Sequence, residues 1–445
     1  MESYSKIKQI LIFFGDIAIF YISLVLTLWL RYGDGFYSRL FDSHIGPFSI
    51  ILAIWLVIFY IAGLYDFKNL KNDLEFDKKF WYSLIFNAGL SIAFFYLNTN
   101  VNVAPKTNLF IFLIIFGGIG YFYRQIINSF LGKTGAATRI LLIGNNQTAQ
   151  ETADCLKENN QLGYEIKFWM KDGLKDKEFA HLFQIIIANK INTIVIPAHI
   201  KKDFVSASLI YKALLAGVDI MDLASLYELV FKKVPLAELE EVWFLENITK
   251  KHRIYEYIAS PLEYIFAVLI FIILLPLLLI ITLTVKITSD GAAIFKQKRV
   301  GKNGSEFTIY KFRTMKIDAE KNGPQWANYF NDNRATKIGK FLRTTHLDEL
   351  PQLFNILKGE LSFIGPRPER PEFVENLKKE IPYYELRHLT KPGITGWAQI
   401  NFRYGATVQE AYEKTQFDIY YIKNNSPFLD LSILLKTIKF LFTNN

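Results

Sequence analysis

Five stretches of this 445-residue chain approach the length and apolarity needed to cross a bilayer, and they limit its fold more than any motif does. A spanning helix needs about 20 mostly apolar residues. Four such blocks fall in residues 1–131, at 10–30, 47–64, 81–97 and 109–122, the last extending toward Phe130. Trp29, Tyr32, Tyr65, Trp81 and Tyr121 cluster toward block ends, as an interfacial aromatic belt would. Lysines crowd the start (Lys6, Lys8) and the loop KNLKNDLEFDKK, and the exit from the fourth block is basic (Arg124, Lys133, Arg139). The loop NTNVNVAPKT has one lysine. The positive-inside rule therefore puts both ends of a four-span helical bundle in the cytoplasm. Asp16 is a charge inside the first block, to be paired within the bundle or used for function.

The fifth block, at 260–287, carries Pro276 in its middle, where a proline removes a helix hydrogen bond. Lys250, Lys251, His252 and Arg253 precede it; Lys286, Lys296, Lys298 and Arg299 follow. A straight span would export one of these clusters. A re-entrant helix broken at Pro276 would keep both in the cytoplasm, and this is the expected arrangement.

Composition narrows the class. The chain is 51% hydrophobic with a net charge of +9, which in blocks of this kind marks a membrane protein with basic cytoplasmic faces. No nucleic-acid motif is present. The single Cys155 excludes an internal disulfide, and the six histidines lack the spacing of a zinc site. No cleavable signal peptide is evident.

Between the membrane blocks, residues 138–250 alternate strands (ATRILLIGN, YEIKFWM, NTIVIPA, VDIMDL) with helices, the pattern of a parallel α/β sheet. The domain resembles a Rossmann-type fold. Its dinucleotide fingerprint is degenerate, because Asn145, Asn146 and Gln147 follow Gly144 where further glycines belong. A structural or regulatory module without bound NAD is expected. Gly132–Lys133–Thr134 is not a phosphate loop, since no glycine stands five residues before Gly132.

The chemistry concentrates further on. AAIFKQKRVGKNGSEFTIYKFRTM alternates around a KNG turn, the signature of a β-hairpin. It carries Lys298, Arg299, Lys302, Lys311 and Arg313, a set that could bind phosphate or touch anionic lipid headgroups; Lys311 and Arg313, on one strand face of YKFRTM, point to phosphate. KFLRTTHLDELPQLFNILKGELSFIGPRPER then sets Asp348 and Glu349 between Arg343 and Arg367. Adjacent acids beside permanent cations suit phosphate chemistry with a divalent metal. Pro351 is expected to open a short helix with both acids at its N-terminus, leaving Asp348 ionised as nucleophile or metal ligand. As a bland alternative, Asp348 would be a helix cap and Arg343 a surface partner. In LTKPGITGWAQINFR, Gly393 and Gly396 are expected to hold a tight loop. Trp397 and Gln399 there could contact a base or sugar, and Trp397 could equally be packed. SPFLDLSILLKTIKFLF suits a helix on the membrane surface. His346 receives no role.

The runs KRVGKNGSEFTIYKFRTM, FLRTTHLDELPQLFNILKGELSFIGPRPE and KPGITGWAQI, in this order, resemble the bacterial sugar transferase domain of monotopic phosphoglycosyl transferases. The likeness covers about residues 250–445, and the upstream part resembles the long members of the group. The implied architecture is a four-span region (1–131), a degenerate Rossmann-like domain (132–250) and an α/β monotopic catalytic domain (251–445) with the re-entrant membrane helix. His346 and Leu275 stand where the family often has Ser.

The resemblance implies transfer of a sugar-1-phosphate from a UDP-sugar to undecaprenyl phosphate, with release of UMP, at the cytoplasmic face of the bacterial inner membrane. It implies Asp348 as nucleophile, Glu349 assisting, and Mg2+ held by Asp348 and Glu349. Arg299, Lys311, Arg313, Arg343, Arg367 and Gln399 would bind substrate. Such a step begins exopolysaccharide, capsule, O-antigen or glycan assembly, and a homodimer stays open. Two other classes compete. A membrane-bound nucleotide-sugar dehydratase needs a Tyr-x-x-x-Lys pair, which occurs here only at Tyr4 and Lys8, outside any Rossmann-like fold. A non-catalytic assembly scaffold would not need Asp348 and Glu349.

Overall fold

The computed structural model describes residues 2–66, 69–98, 105–133, 138–171, 176–201, 204–248, 251–316, 319, 334–402 and 407–442. The chain forms two compact units, Met1–Val230 and Phe231–Asn445.

In the first unit the four N-terminal blocks become helices α1 (Glu2–Tyr32), α2 (Ile45–Ala62), α3 (Leu74–Leu97) and α4 (Pro105–Lys133). Asp73 caps α3 by accepting from the Phe76 amide at 2.8 Å. All four are long and apolar enough to cross a membrane. Their shared core is aromatic: Phe20 meets Phe112 at 4.8 Å and Trp55 meets Phe116 at 5.1 Å, both edge to face. Apolar residues also cover the outside, with Phe14, Ile85 and Phe110 each more than half exposed. A surface of that kind is stable only against lipid or a partner. Asp16 is buried and takes two bonds from Arg124 and one from Tyr65 Oη.

The rest of this unit is a parallel sheet ordered β2–β1–β3–β4, with β1 Thr138–Ile143, β2 Tyr164–Met170, β3 Thr193–Ile196 and β4 Asp219–Asp222. Helix α5 (Gln147–Glu158) follows β1, capped by Asn146. Gly144, in the turn between them, has φ +107°, and a Cβ there would meet Pro197 Cγ at 2.9 Å. Its glycine thus has a local backbone reason.

The second unit begins earlier than the α/β pattern indicates. Residues 231–248, assigned by that pattern to the sheet domain, pack here instead. Trp397 Nε1 donates to Lys232 O at 2.8 Å, the Val234 amide to Gln416 O at 3.1 Å, and Lys233 pairs with Glu413 at 2.5 Å. Phe244, in α6 (Glu241–Asn247), lies 4.5 Å from the Tyr383 ring.

Helix α7 (Lys251–Thr288) runs through Pro276 without interruption, so the expected helix break is not observed. The physical reason lies in its packing. Ala267, Ile270, Phe271 and Leu274 pack against Phe307, Ile309 and Leu353; Leu278, Ile281 and Val285 pack against Phe312 and Leu342. This stripe keeps helical phase across the proline, so burial on both sides offsets the lost hydrogen bond. The opposite face, including Ile272, Ile273 and Ile280, is apolar and 61–74% exposed.

Strands β5 (Ile294–Val300) and β6 (Glu306–Phe312) form the expected antiparallel hairpin around the KNG turn. Phe307 and Ile309 bury one face of β6 on α7. A parallel pair, β7 (Ser362–Ile364) and β8 (Gly393–Thr395), brings two later loops together.

Candidate active site

Asp348 and Glu349 stand in the first turn of a six-residue 3-10 helix, Leu347–Gln352, entered through His346 at φ +55°. Pro351 lies inside this turn, and the α-helix starts only at Leu353, so Pro351 does not open it. Six residues make too short a helix for a substantial macrodipole. The charges around the acids come from tertiary packing instead.

Two of those charges converge on one oxygen. Lys311 Nζ, from β6, and Arg367, from the loop after β7, each donate to Glu349 Oε1 at 2.7 Å. Burial would raise Glu349, yet Arg367 and Lys311 outweigh it and hold the carboxyl well below its usual range. Asp348 is 6% exposed, and its Oδ1 has no hydrogen-bond partner. Burial pushes Asp348 up to about 6, with Lys311 opposing and the Glu349 charge assisting. Adjacent carboxyls are thereby set apart: one neutralised by two cations, one with a buried oxygen that no protein donor reaches. Burial also lowers Lys311 and His346.

The remaining expected residues divide. Arg343 donates to Thr314 Oγ1 at 3.1 Å, and its charge acts on Asp348. Arg299 bonds no acid of the pair: its NH1 donates to Pro368 O at 3.1 Å and its NH2 to Gln297 Oε1 at 2.7 Å, so it braces the Arg367 loop. Arg313 is not brought to the acids. Strand β6 ends at Phe312, and Arg313 Nε donates to Ala292 O at 2.8 Å. Gln399, in α8 (Trp397–Asn401), donates to Ile394 O at 3.0 Å. Trp397 is a core residue, 7% exposed and stacked on Tyr420. The tight glycine loop is observed: a Cβ on Gly393 would lie 2.1 Å from Gly365 N.

A second buried constellation supports the site and has no counterpart in the sequence reading. Arg387 bonds Asp418 Oδ2 through Nε (3.1 Å) and NH2 (2.8 Å), and Tyr384 Oη through NH1 (2.7 Å). The available signal was Asp418 itself, a charge interrupting the apolar run FDIYYI in helix α9 (Val408–Asn424). A cavity lined by Gly301, Arg367, Arg387, His388 and Thr390 lies beside these groups.

A bare acid could attack phosphorus or bind a cation, and the comparisons with known proteins narrow the class. The family model for bacterial sugar transferases matches residues 254–444. A Caulobacter vibrioides protein, named UDP-glucose:undecaprenyl-phosphate glucose-1-phosphate transferase, is 38% identical over 41% of this chain and 69% of its own length. The chain belongs to the bacterial sugar transferase family. It is a long-form member. A Klebsiella pneumoniae protein of the same name is 29% identical over 96% of this chain and 93% of its own. The UDP-N-acetylgalactosamine-undecaprenyl-phosphate N-acetylgalactosaminephosphotransferase of Aeromonas hydrophila is 44% identical over 43% of this chain. The chain spans 45% of that relative's length.

Proposed function

We propose that this protein transfers a sugar-1-phosphate from a UDP-sugar to undecaprenyl phosphate at the cytoplasmic membrane face. The observation that carries the reading is the buried, unpartnered Oδ1 of Asp348 beside a Glu349 already neutralised by Lys311 and Arg367. An Asp348 oxygen attacks the phosphorus that bears the sugar, and the bond to the UMP oxygen breaks. A phosphate oxygen of the lipid then attacks the same phosphorus and returns the carboxylate. Splitting the transfer in this way suits a positioned carboxylate. Lys311, Arg343 and Arg367 offset charge spread over the phosphate oxygens.

Mg2+ fits the residues present. Among the described residues no cluster of three or more metal-ligating side chains exists, but Mg2+ commonly needs one or two carboxylates and completes its shell with substrate phosphate and water. Asp348 and Glu349 would hold it, and it would supply charge neutralisation on the diphosphate.

The membrane reading has the four N-terminal helices as spans and the sheet domain as a degenerate Rossmann-like module. One face of α7 packs on the catalytic unit from Ala267 to Val285, and its other face is exposed and apolar. This supports a helix embedded from the cytoplasmic side, since a through-going span could not keep the unit along its length in water. In the reaction class, this would be the first step of surface polysaccharide assembly.

The test is UMP release by detergent-solubilised protein given Mg2+, undecaprenyl phosphate and UDP-glucose, UDP-galactose or UDP-N-acetylgalactosamine. Lipid-dependent UMP from one donor is expected. UMP formation that persists in Asp348→Asn would overturn the assignment.

A further inference from the structure

The loop Gly365–Pro366–Arg367–Pro368–Glu369 has an unusual problem of support. Its two prolines have no N–H to donate, so the segment must be held chiefly through its carbonyls. Four consecutive carbonyls are caught. Pro366 O accepts from the Gly393 amide (2.9 Å), Arg367 O from Arg387 NH2 (2.9 Å), Pro368 O from Arg299 NH1 (3.1 Å) and Glu369 O from the Val300 amide (2.9 Å). The donor at the second position is a guanidinium that is 6% exposed, and it meets the backbone of the residue whose side chain reaches Glu349.

A buried guanidinium is an expensive way to hold one carbonyl unless its charge is compensated. Here Asp418 and Tyr384, each 1% exposed, take three more of its donors. Both partners sit on elements braced by residues 231–248: Val234 bonds Gln416 O next to Asp418, and Tyr383 Oη donates to Leu239 O at 3.3 Å. The chain of contact therefore runs from that segment through α9 to Asp418, Arg387, the Arg367 backbone and Glu349.

We propose that Arg387, with Asp418 as its counterion, is a positioning residue that sets where Arg367 stands against Glu349. Arg387 touches no reacting atom in this scheme. Its importance for transfer rests on the function proposed above; its hold on the loop does not.

The experiment uses the full chain in detergent and the variants Arg387→Lys, Asp418→Asn, Arg367→Ala and Arg387→Lys/Arg367→Ala. Lysine keeps the charge but cannot serve Asp418, Tyr384 and Arg367 O from one planar fork. Hydrogen exchange is read first, at the amides that hold the loop: Val300, Gly365 and Gly393. In Arg387→Lys and Asp418→Asn these should exchange at least about tenfold faster, while the interior of α9 stays protected. Unchanged exchange at the three amides, or equal loss throughout α9, overturns the proposal, the second outcome making the pair a general fold support.

Transfer kinetics follow. Arg387→Lys should lower kcat about tenfold, because small misplacements of a charged group are costly, and should leave KM within about twofold. Added to Arg367→Ala, it should cost nothing more, since the group it positions is already gone. Losses that multiply overturn the proposal. If the wild-type chain transfers no sugar-phosphate at all, the function reading falls, and the exchange result alone decides whether Arg387 holds the loop.

Discussion

Two carboxylates in this molecule are both buried and differ in what surrounds them. Asp16 lies inside a helical bundle, and both of its oxygens are occupied by Arg124 and Tyr65, while Arg124 NH1 is taken by Leu64 O at 2.8 Å. Asp348 is also buried, yet its Oδ1 has no protein partner, and Lys311 and Arg367 bond the adjacent Glu349. The first arrangement is complete and joins elements of the bundle. The second leaves Asp348 Oδ1 without a protein donor. Buried charge by itself therefore says little about function; what separates Asp348 is an oxygen without a protein donor set beside Glu349 and the cations that bind it.

The strongest way to break this comparison is to neutralise each acid. Asp348→Asn should lower transfer by about 10^3-fold or more, as removal of a nucleophile does, with the melting temperature kept within a few degrees. Asp16→Asn should do the reverse. It strands a buried Arg124 and should destabilise the bundle by about 3–5 kcal/mol in a chemical-denaturation assay of the solubilised protein. Catalysis per folded molecule should hold. Asp16→Leu with Arg124→Met should recover most of that stability, and failure to do so would mean the pair does more than join helices.

Smaller effects sharpen the contrast. Arg367→Ala should reduce kcat about 100-fold, the usual cost of one preorganised charge donor at a reacting group, and activity within twofold of wild type would remove Arg367 from the site. The last prediction concerns pH. Burial, with help from the Arg387 and Lys378 charges, depresses His388 from 6.5 to about 3. The unfolded chain then binds the extra proton first, so stability rises with pH through this window. His388's contribution is whole above pH 6.5 and is lost toward pH 3, at up to about 1.4 kcal/mol per unit. Melting curves between pH 7 and 5 should show a shallower acid loss in His388→Gln than in the wild-type chain; equal slopes would exclude His388 as a source.

Much of the candidate site's geometry was legible because its parts are local. Asp348, Glu349, Arg343 and Arg367 come from one 31-residue run, and Lys311 from a hairpin whose alternation is plain. Arg313 was misleading: its amide continues the hairpin pairing to Ala293 O at 2.8 Å, but its guanidinium is taken by Ala292 O, a partner that alternation along the strand cannot reveal. Pro276 misled in the opposite way: its local cost is real, but contacts on both sides of it keep the helix intact.

The sequence by itself determined the apolar helices, the alternation of strands and helices, the hairpin and the identity of the acid pair, because those properties depend on residues near one another in the chain. Only the tertiary structure decided that Trp397 packs in the core, that residues 231–248 brace the second unit, and that Arg387 reaches Asp418 across 31 residues to hold Arg367. The physical reason is that periodicity is written along the chain. A charge's worth, by contrast, is set by burial and by whichever distant segment folding brings within hydrogen-bond reach.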